Sequence, residues 1–134
     1  MAHILRLAGI EEESIVDGPG LRMTVFVQGC LLGCPGCQNP QTHDLNGGTE
    51  AAAEDILEKF CADPLLAGIT FSGGEPFLQP EPLLWLAREV HARGRNVMSF
   101  SGYTFEQLME KSLKNPHISG LLDELDALVD GPYI

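Results

Sequence analysis

Apolar and polar positions along this chain follow two rhythms that succeed one another, and Gly and Pro mark the changes. Arg22-Met23-Thr24-Val25-Phe26-Val27-Gln28 is rich in β-branched and aromatic residues and follows the turn Asp17-Gly18-Pro19-Gly20. It predicts a first strand. A loop from Gly29 to Gly48 comes next, too long to be mere connection in a compact domain. From Glu50 to Cys61 the apolar residues Ala53, Ile56, Leu57, Phe60 and Cys61 keep helical spacing, with Cys61 expected as a small buried hydrophobe. Gly68-Ile69-Thr70-Phe71 is a short strand that ends at Ser72-Gly73-Gly74-Glu75-Pro76. A helix begins near Pro80 and Pro82, where a missing N–H costs little. Leu83, Leu86, Ala87 and Val90 form its buried face, Trp85 packs beside them, and Gly94 ends it.

Asn96-Val97-Met98-Ser99-Phe100 is the third strand and runs into Ser101-Gly102-Tyr103. Thr104 caps a helix with Gln107 as its capping-box partner, and Leu108, Met109 and Leu113 form the expected apolar stripe. Pro116 breaks that helix. A short helical piece over His117 to Leu122 precedes a fourth strand, Asp126-Ala127-Leu128-Val129-Asp130, which Gly131-Pro132 stops. Strands and helices alternate. The expected fold class is α/β: a partial barrel or open curved parallel sheet with outer helices, one domain over residues 1–134. Ligands of such sheets sit at the carboxyl ends of the strands, where both the long loop and the Ser72–Pro76 turn fall.

The chain has 134 residues, and eight Lys and Arg against nineteen Asp and Glu give a net charge of −11. That length suits one domain, and 44% hydrophobic with 20% charged residues argues against disorder. The acidity argues against a nucleic-acid backbone as partner. No run approaches the roughly 20 apolar residues of a membrane span. The N-terminal MAHILRLAGIEEESI lacks the marks of a secretory signal, so the cytoplasm is the expected compartment. Four Cys are too few for a disulfide scaffold.

Cys30, Cys34 and Cys37 stand on one loop in the spacing Cys-x3-Cys-x2-Cys, with Gly29, Gly33 and Gly36 letting the backbone fold around what they hold. Three thiolates suit a soft metal centre. One reading is a [4Fe–4S] cluster with one iron left open for a small molecule. The other is structural zinc, with His43 or Cys61 as fourth ligand. Ser72-Gly73-Gly74-Glu75-Pro76 exposes backbone polar groups at two successive glycines beside a carboxylate that can accept from an ammonium group. It is no P-loop, because no Gly-Lys-Ser or Gly-Lys-Thr follows.

The two motifs in this order resemble the radical S-adenosylmethionine (SAM) superfamily. The longer set Val16-Asp17-Gly18-Pro19-Gly20, Phe26-Val27-Gln28-Gly29-Cys30, Cys34-Pro35-Gly36-Cys37-Gln38-Asn39-Pro40, Ser72 to Pro76, Ser101-Gly102-Tyr103 and Leu128-Val129-Asp130-Gly131 is similar to anaerobic ribonucleotide reductase-activating enzymes. The resemblance implies Cys30, Cys34 and Cys37 as ligands of a [4Fe–4S] cluster. SAM would chelate its open iron. Gly73, Gly74 and Glu75, with Ser72 beside them, would hold the methionine end. Gly36, Cys37 and Gln38 would line the adenine, and Ser99 or Ser101 would reach the ribose. Gln38 stands where that branch often carries an aromatic residue.

The implied products are methionine and a 5′-deoxyadenosyl radical, which makes a glycyl radical on a large reductase. The implied partners are that glycyl radical enzyme and a low-potential electron donor, with no nucleic acid and no membrane. The family usually continues beyond Pro132-Tyr133-Ile134 with an Arg-, Gly- and Ser-rich tail. Activation of another glycyl radical enzyme, of formate-lyase type, and a non-catalytic zinc- or cluster-bearing module are the alternatives. Elsewhere, His3, His91 and His117 are expected at the surface or satisfied in the core, and Arg22 as a surface charge. Tyr103 is open between packing and partner contact. Asp130 is open between the site and a turn cap.

Overall fold

Strand β2, Arg22–Val27, is buried along almost its whole length, as expected of a strand flanked and covered on both faces. On one side it pairs in parallel with β4, Gly68–Gly73, in the register Arg22↔Gly68 to Val27↔Gly73. The computed structural model describes residues 3–14, 20–28 and 49–129. Beyond β4 lie β5, Asn96–Phe100, and β6, Ala127–Val129, both parallel to their neighbours. These are the four expected strands.

Two further strands differ from the expectation. β1, Ile4–Ser14, runs antiparallel to β2 on its other side, and β3, Thr49–Ala52, runs antiparallel to β1. The sheet order is β3-β1-β2-β4-β5-β6, so the sheet is mixed and not wholly parallel. β1 hides in the sequence because Gly9 and the run Glu11-Glu12-Glu13 interrupt its alternation, and irregular pairing lies at Leu7/Gly9 and Glu11/Ser14. β3 takes the first residues of the stretch expected as helix. That helix, α1, spans Ala53–Cys61.

Helix α2 covers Pro80–Ala92, preceded by a 3-10 turn at Pro76–Leu78. α3 covers Phe105–Ser112 and α4 covers Pro116–Glu124. α2 packs against both α1 and α4. Phe60, Leu83, Leu86, Val90 and Leu121 meet Val25, Ile69, Phe71 and Val97 of the sheet in one core. The Thr104 capping box forms as expected: Gln107 N–H donates to Thr104 Oγ1 at 3.2 Å, and Thr104 N–H donates to Gln107 Oε1 at 2.9 Å. Trp85 is partly buried against the core and stacks on the His3 ring, centroids 4.8 Å apart.

Three side-chain expectations are overturned. Cys61 is exposed; it closes α1 past the point where Phe60 fills the core. In α3 only Leu108 is buried, while Met109 and Leu113 are 46% and 86% exposed, because the helix is covered along one narrow line. Arg22 is fully buried. Its Nε donates to Thr70 Oγ1 at 2.7 Å, its Nη2 to the Ile69 carbonyl at 2.8 Å, and its Nη1 to Asn96 Oδ1. Burial lowers its pKa from the ordinary guanidinium value, against which the Asp126 charge acts. Gly68 makes room for this arrangement, since a Cβ there would meet Asn96 Oδ1 at 2.2 Å. The guanidinium thus ties β2, β4 and β5 together at the amino end of the parallel strands.

Candidate functional site

The carboxyl ends of the same three strands are joined by backbone and carboxylate hydrogen bonds. Gly74 N–H donates to the Val27 carbonyl at 2.8 Å, which fixes the turn after β4 against the end of β2. Gly73 makes that approach possible. Its φ is +94°, and a Cβ there would meet Val27 N at 2.6 Å and Val27 O at 2.7 Å. Only glycine meets both demands without strain.

Glu75 connects this turn to the end of β5. It is 0% exposed. Its Oε2 accepts from Phe77 N–H at 3.0 Å and from the Ser101 hydroxyl at 2.9 Å, and its Oε1 accepts from Gly102 N–H at 2.7 Å. Ser101 Oγ in turn accepts from Tyr103 N–H at 3.1 Å. Burial raises the Glu75 carboxyl above its ordinary 4.5, opposed by the donors from Phe77, Gly102 and Ser101. The expected residues Ser72, Gly73, Gly74, Glu75 and Ser101 are therefore brought to one edge of the sheet. Ser99 is fully buried within β5, and its hydroxyl donates to the Phe100 carbonyl at 3.0 Å.

Gln79, which the sequence did not single out, braces the root of the long loop. Its Oε1 accepts from Arg6 N–H at 2.7 Å, and its Nε2 donates to the carbonyls of Arg6 and Gln28, both at 3.1 Å. The amide thus pairs with β1 as a strand residue would and holds the last described residue before the Cys loop. A glutamine before Pro80 carries no local signal for this task. Tyr103 is buried beside the turn, with Lys111 Nζ 4.7 Å above its ring.

Cys30, Cys34, Cys37, Gly36, Gln38, His43 and Asp130 lie outside the described residues. Among the described residues no group of three or more His, Cys, Asp and Glu could hold a metal ion. His91 sits far along α2, its Nδ1 2.9 Å from Glu124 Oε1 and its Nε2 2.7 Å from Asp126 Oδ2. His3 Nδ1 lies 2.7 Å from Glu54 Oε2. Both are satisfied in ion-pair geometry, as expected. His117 Nε2 lies 3.7 Å from Glu81.

The family described as "4Fe-4S single cluster domain" matches residues 16–134. The pyruvate formate-lyase-activating enzyme of Clostridium pasteurianum is 41% identical over 106 residues, covering 75% of this chain and 44% of that protein. The anaerobic ribonucleoside-triphosphate reductase-activating protein of Salmonella typhimurium is 34% identical over 130 residues, covering 90% of this chain and 79% of that protein. Its Escherichia coli K12 counterpart is 33% identical over 129 residues, with the same coverage. The chain thus spans less than half the length of the formate-lyase activase it matches and about four fifths of the reductase activases.

Among solved structures, QueE from Escherichia coli superposes with a TM-score of 0.59 at 18% identity, covering 75% of this chain and 54% of that one, which speaks for the fold. The match over residues 16–134, and the identity with reductase-activating proteins over nine tenths of the chain, place it in the 4Fe-4S single cluster domain family of radical SAM type, among the relatives of glycyl radical enzyme activases.

Proposed function

We propose that the chain generates a glycyl radical on an anaerobic ribonucleoside-triphosphate reductase by radical SAM chemistry. The observation that carries this reading is the hydrogen bond from Gly74 N–H to the Val27 carbonyl. It sets the Gly-Gly-Glu turn beside the strand end from which the loop of Cys30, Cys34 and Cys37 departs. Three thiols with no fourth Cys nearby suit a [4Fe–4S] cluster with one open iron. Bound there, SAM would supply, on one-electron reduction, methionine and a 5′-deoxyadenosyl radical that removes a hydrogen atom from the partner's glycine.

The chain's own part is to bind and orient. The turn at Ser72, Gly73 and Gly74, with Glu75 bonded behind it, supplies the methionine end of the site. Gly36, Cys37 and Gln38 supply the adenine side. Of Ser99 and Ser101, the one at the exit of β5, Ser101, supplies the ribose side, since Ser99 is buried within the strand with its hydroxyl on the Phe100 carbonyl. The low-potential electron donor is a separate protein or reductant, and the reducing cytoplasm suits the thiolates. Among the described residues no helix is long and apolar enough to cross a membrane.

The test is anaerobic reconstitution with iron and sulfide, reduction, and addition of SAM with a purified reductase or, separately, a formate-lyase. 5′-Deoxyadenosine from the wild type, none from Cys34→Ala, and a glycyl radical signal in the reductase alone are expected. A signal in the formate-lyase alone would redirect the assignment to that partner. Zinc in place of iron would overturn the catalytic reading.

A further inference from the structure

We infer that the Glu75 carboxylate is a positioning residue, which holds the turns after β4 and β5 in fixed relation and does not itself contact the ligand. The inference rests on the SAM site proposed above. It departs from the sequence expectation, which had this carboxylate accept from the ligand's ammonium group.

Three observations support it. No surface of Glu75 is open to a ligand. Its two oxygens already accept from Phe77, Ser101 and Gly102, two backbone amides and a hydroxyl. And these donors belong to both turns: Phe77 to the 3-10 turn after β4, Ser101 and Gly102 to the exit of β5. A buried carboxylate is retained only where donors satisfy it, and here those donors span the two segments assigned to the two ends of the ligand. What remains for the ligand's ammonium group is the backbone of Ser72, Gly73 and Gly74, all partly exposed or flanking the turn. The carboxylate sets where that backbone stands relative to Ser101.

The consequence is that each end of the ligand should feel the far turn. The probes are L-methionine and 5′-deoxyadenosine, measured by calorimetry on anaerobically cluster-loaded protein, at a temperature where melts show every variant folded. Glu75→Gln keeps the size but replaces one acceptor oxygen by a donor. It should weaken both probes, each by about five- to tenfold. Ser101→Ala should weaken methionine as well as 5′-deoxyadenosine, and the double variant should lose less than the product of the two single effects.

A direct contact between carboxylate and ammonium gives another pattern. Glu75→Gln then weakens methionine alone, Ser101→Ala weakens 5′-deoxyadenosine alone, and the double variant shows each of these losses unchanged. That result, or unchanged binding of both probes, overturns the inference. Wild-type protein that carries its cluster but binds neither probe overturns the proposed function instead. Should Glu75→Gln fail to fold, Glu75→Asp with Ser101→Ala completes the same cycle, because the shorter side chain cannot span both turns.

Discussion

Gly73 lies against Val27 so closely that a methyl group on its Cα would stand 2.6 Å from the Val27 nitrogen. Backbone of a neighbouring strand cannot step aside as a side chain can. Gly73→Ala should therefore cost about 1–3 kcal/mol, from the clash and from the positive φ together. Urea denaturation of the purified variant measures this, and a change below experimental error would contradict the packing described.

Gln79 adds side-chain hydrogen bonds at Arg6, whose carbonyl also accepts from Gln28 N–H, and holds the Gln28 carbonyl. Gln79→Ala should lower stability by about 1–2 kcal/mol. It should also lower the iron bound per chain after reconstitution, since the loop with the three cysteines starts at the carbonyl the amide restrains. Iron content equal to wild type would limit Gln79 to a structural part.

Arg22→Leu removes the donors to Thr70, Ile69 and Asn96 and leaves a smaller, wholly apolar side chain in their midst. Stranded acceptors in the interior should cost about 3 kcal/mol. The variant's thermal midpoint, compared with Arg88→Leu on the surface of α2, tests this.

His91 and Asp126 predict how stability varies with pH. Burial disfavours the charged His91, but its hydrogen bonds to Asp126 and Glu124 prevail and raise its pKa above 6.5. The contribution is complete below pH 6.5 and is lost as pH rises through the folded value. Asp126 is held below its ordinary 3.8, foremost by the His91 hydrogen bond, so its contribution is present above that pH and lost as pH falls through the folded value. Urea midpoints across pH should show the alkaline decline in the wild type and lack it in His91→Gln.

The Glu54 carboxyl is lowered to about 2, chiefly by hydrogen bonds from the His3 side chain and backbone. His3→Ala should return its titration toward 4.5, readable by carbon-13 NMR. The chain's single tryptophan, Trp85, stacks on that imidazole, so its emission should shift in the same variant.

Local chemistry was legible. The Thr104–Gln107 capping box needs only residues three apart, and the helical spacing of Leu83, Leu86, Ala87 and Val90 is contained in one helix. The burial of Arg22 was not, because its partners Thr70 and Asn96 lie 48 and 74 positions away and only the sheet brings them in. β1 is not legible either, because its alternation is broken and pairing with β2 stabilises it. The position of the Gly-Gly-Glu turn at the carboxyl end of a strand was readable. That its carboxylate faces Ser101, 26 residues on, was not.

β2, β4 and β5 are clamped at both ends, by Arg22 below and by Gly74 and Glu75 above. A slip of one residue between any two of them would turn every side chain to the other face and break both clamps together. The strands can therefore shift only by coming apart. The amino-end clamp, roughly 17 Å from the site by strand rise, acts as a gauge that sets the spacing of the carboxyl end. A substitution at the foot of the sheet would then surface as misalignment at its head, in a place where no contact has changed.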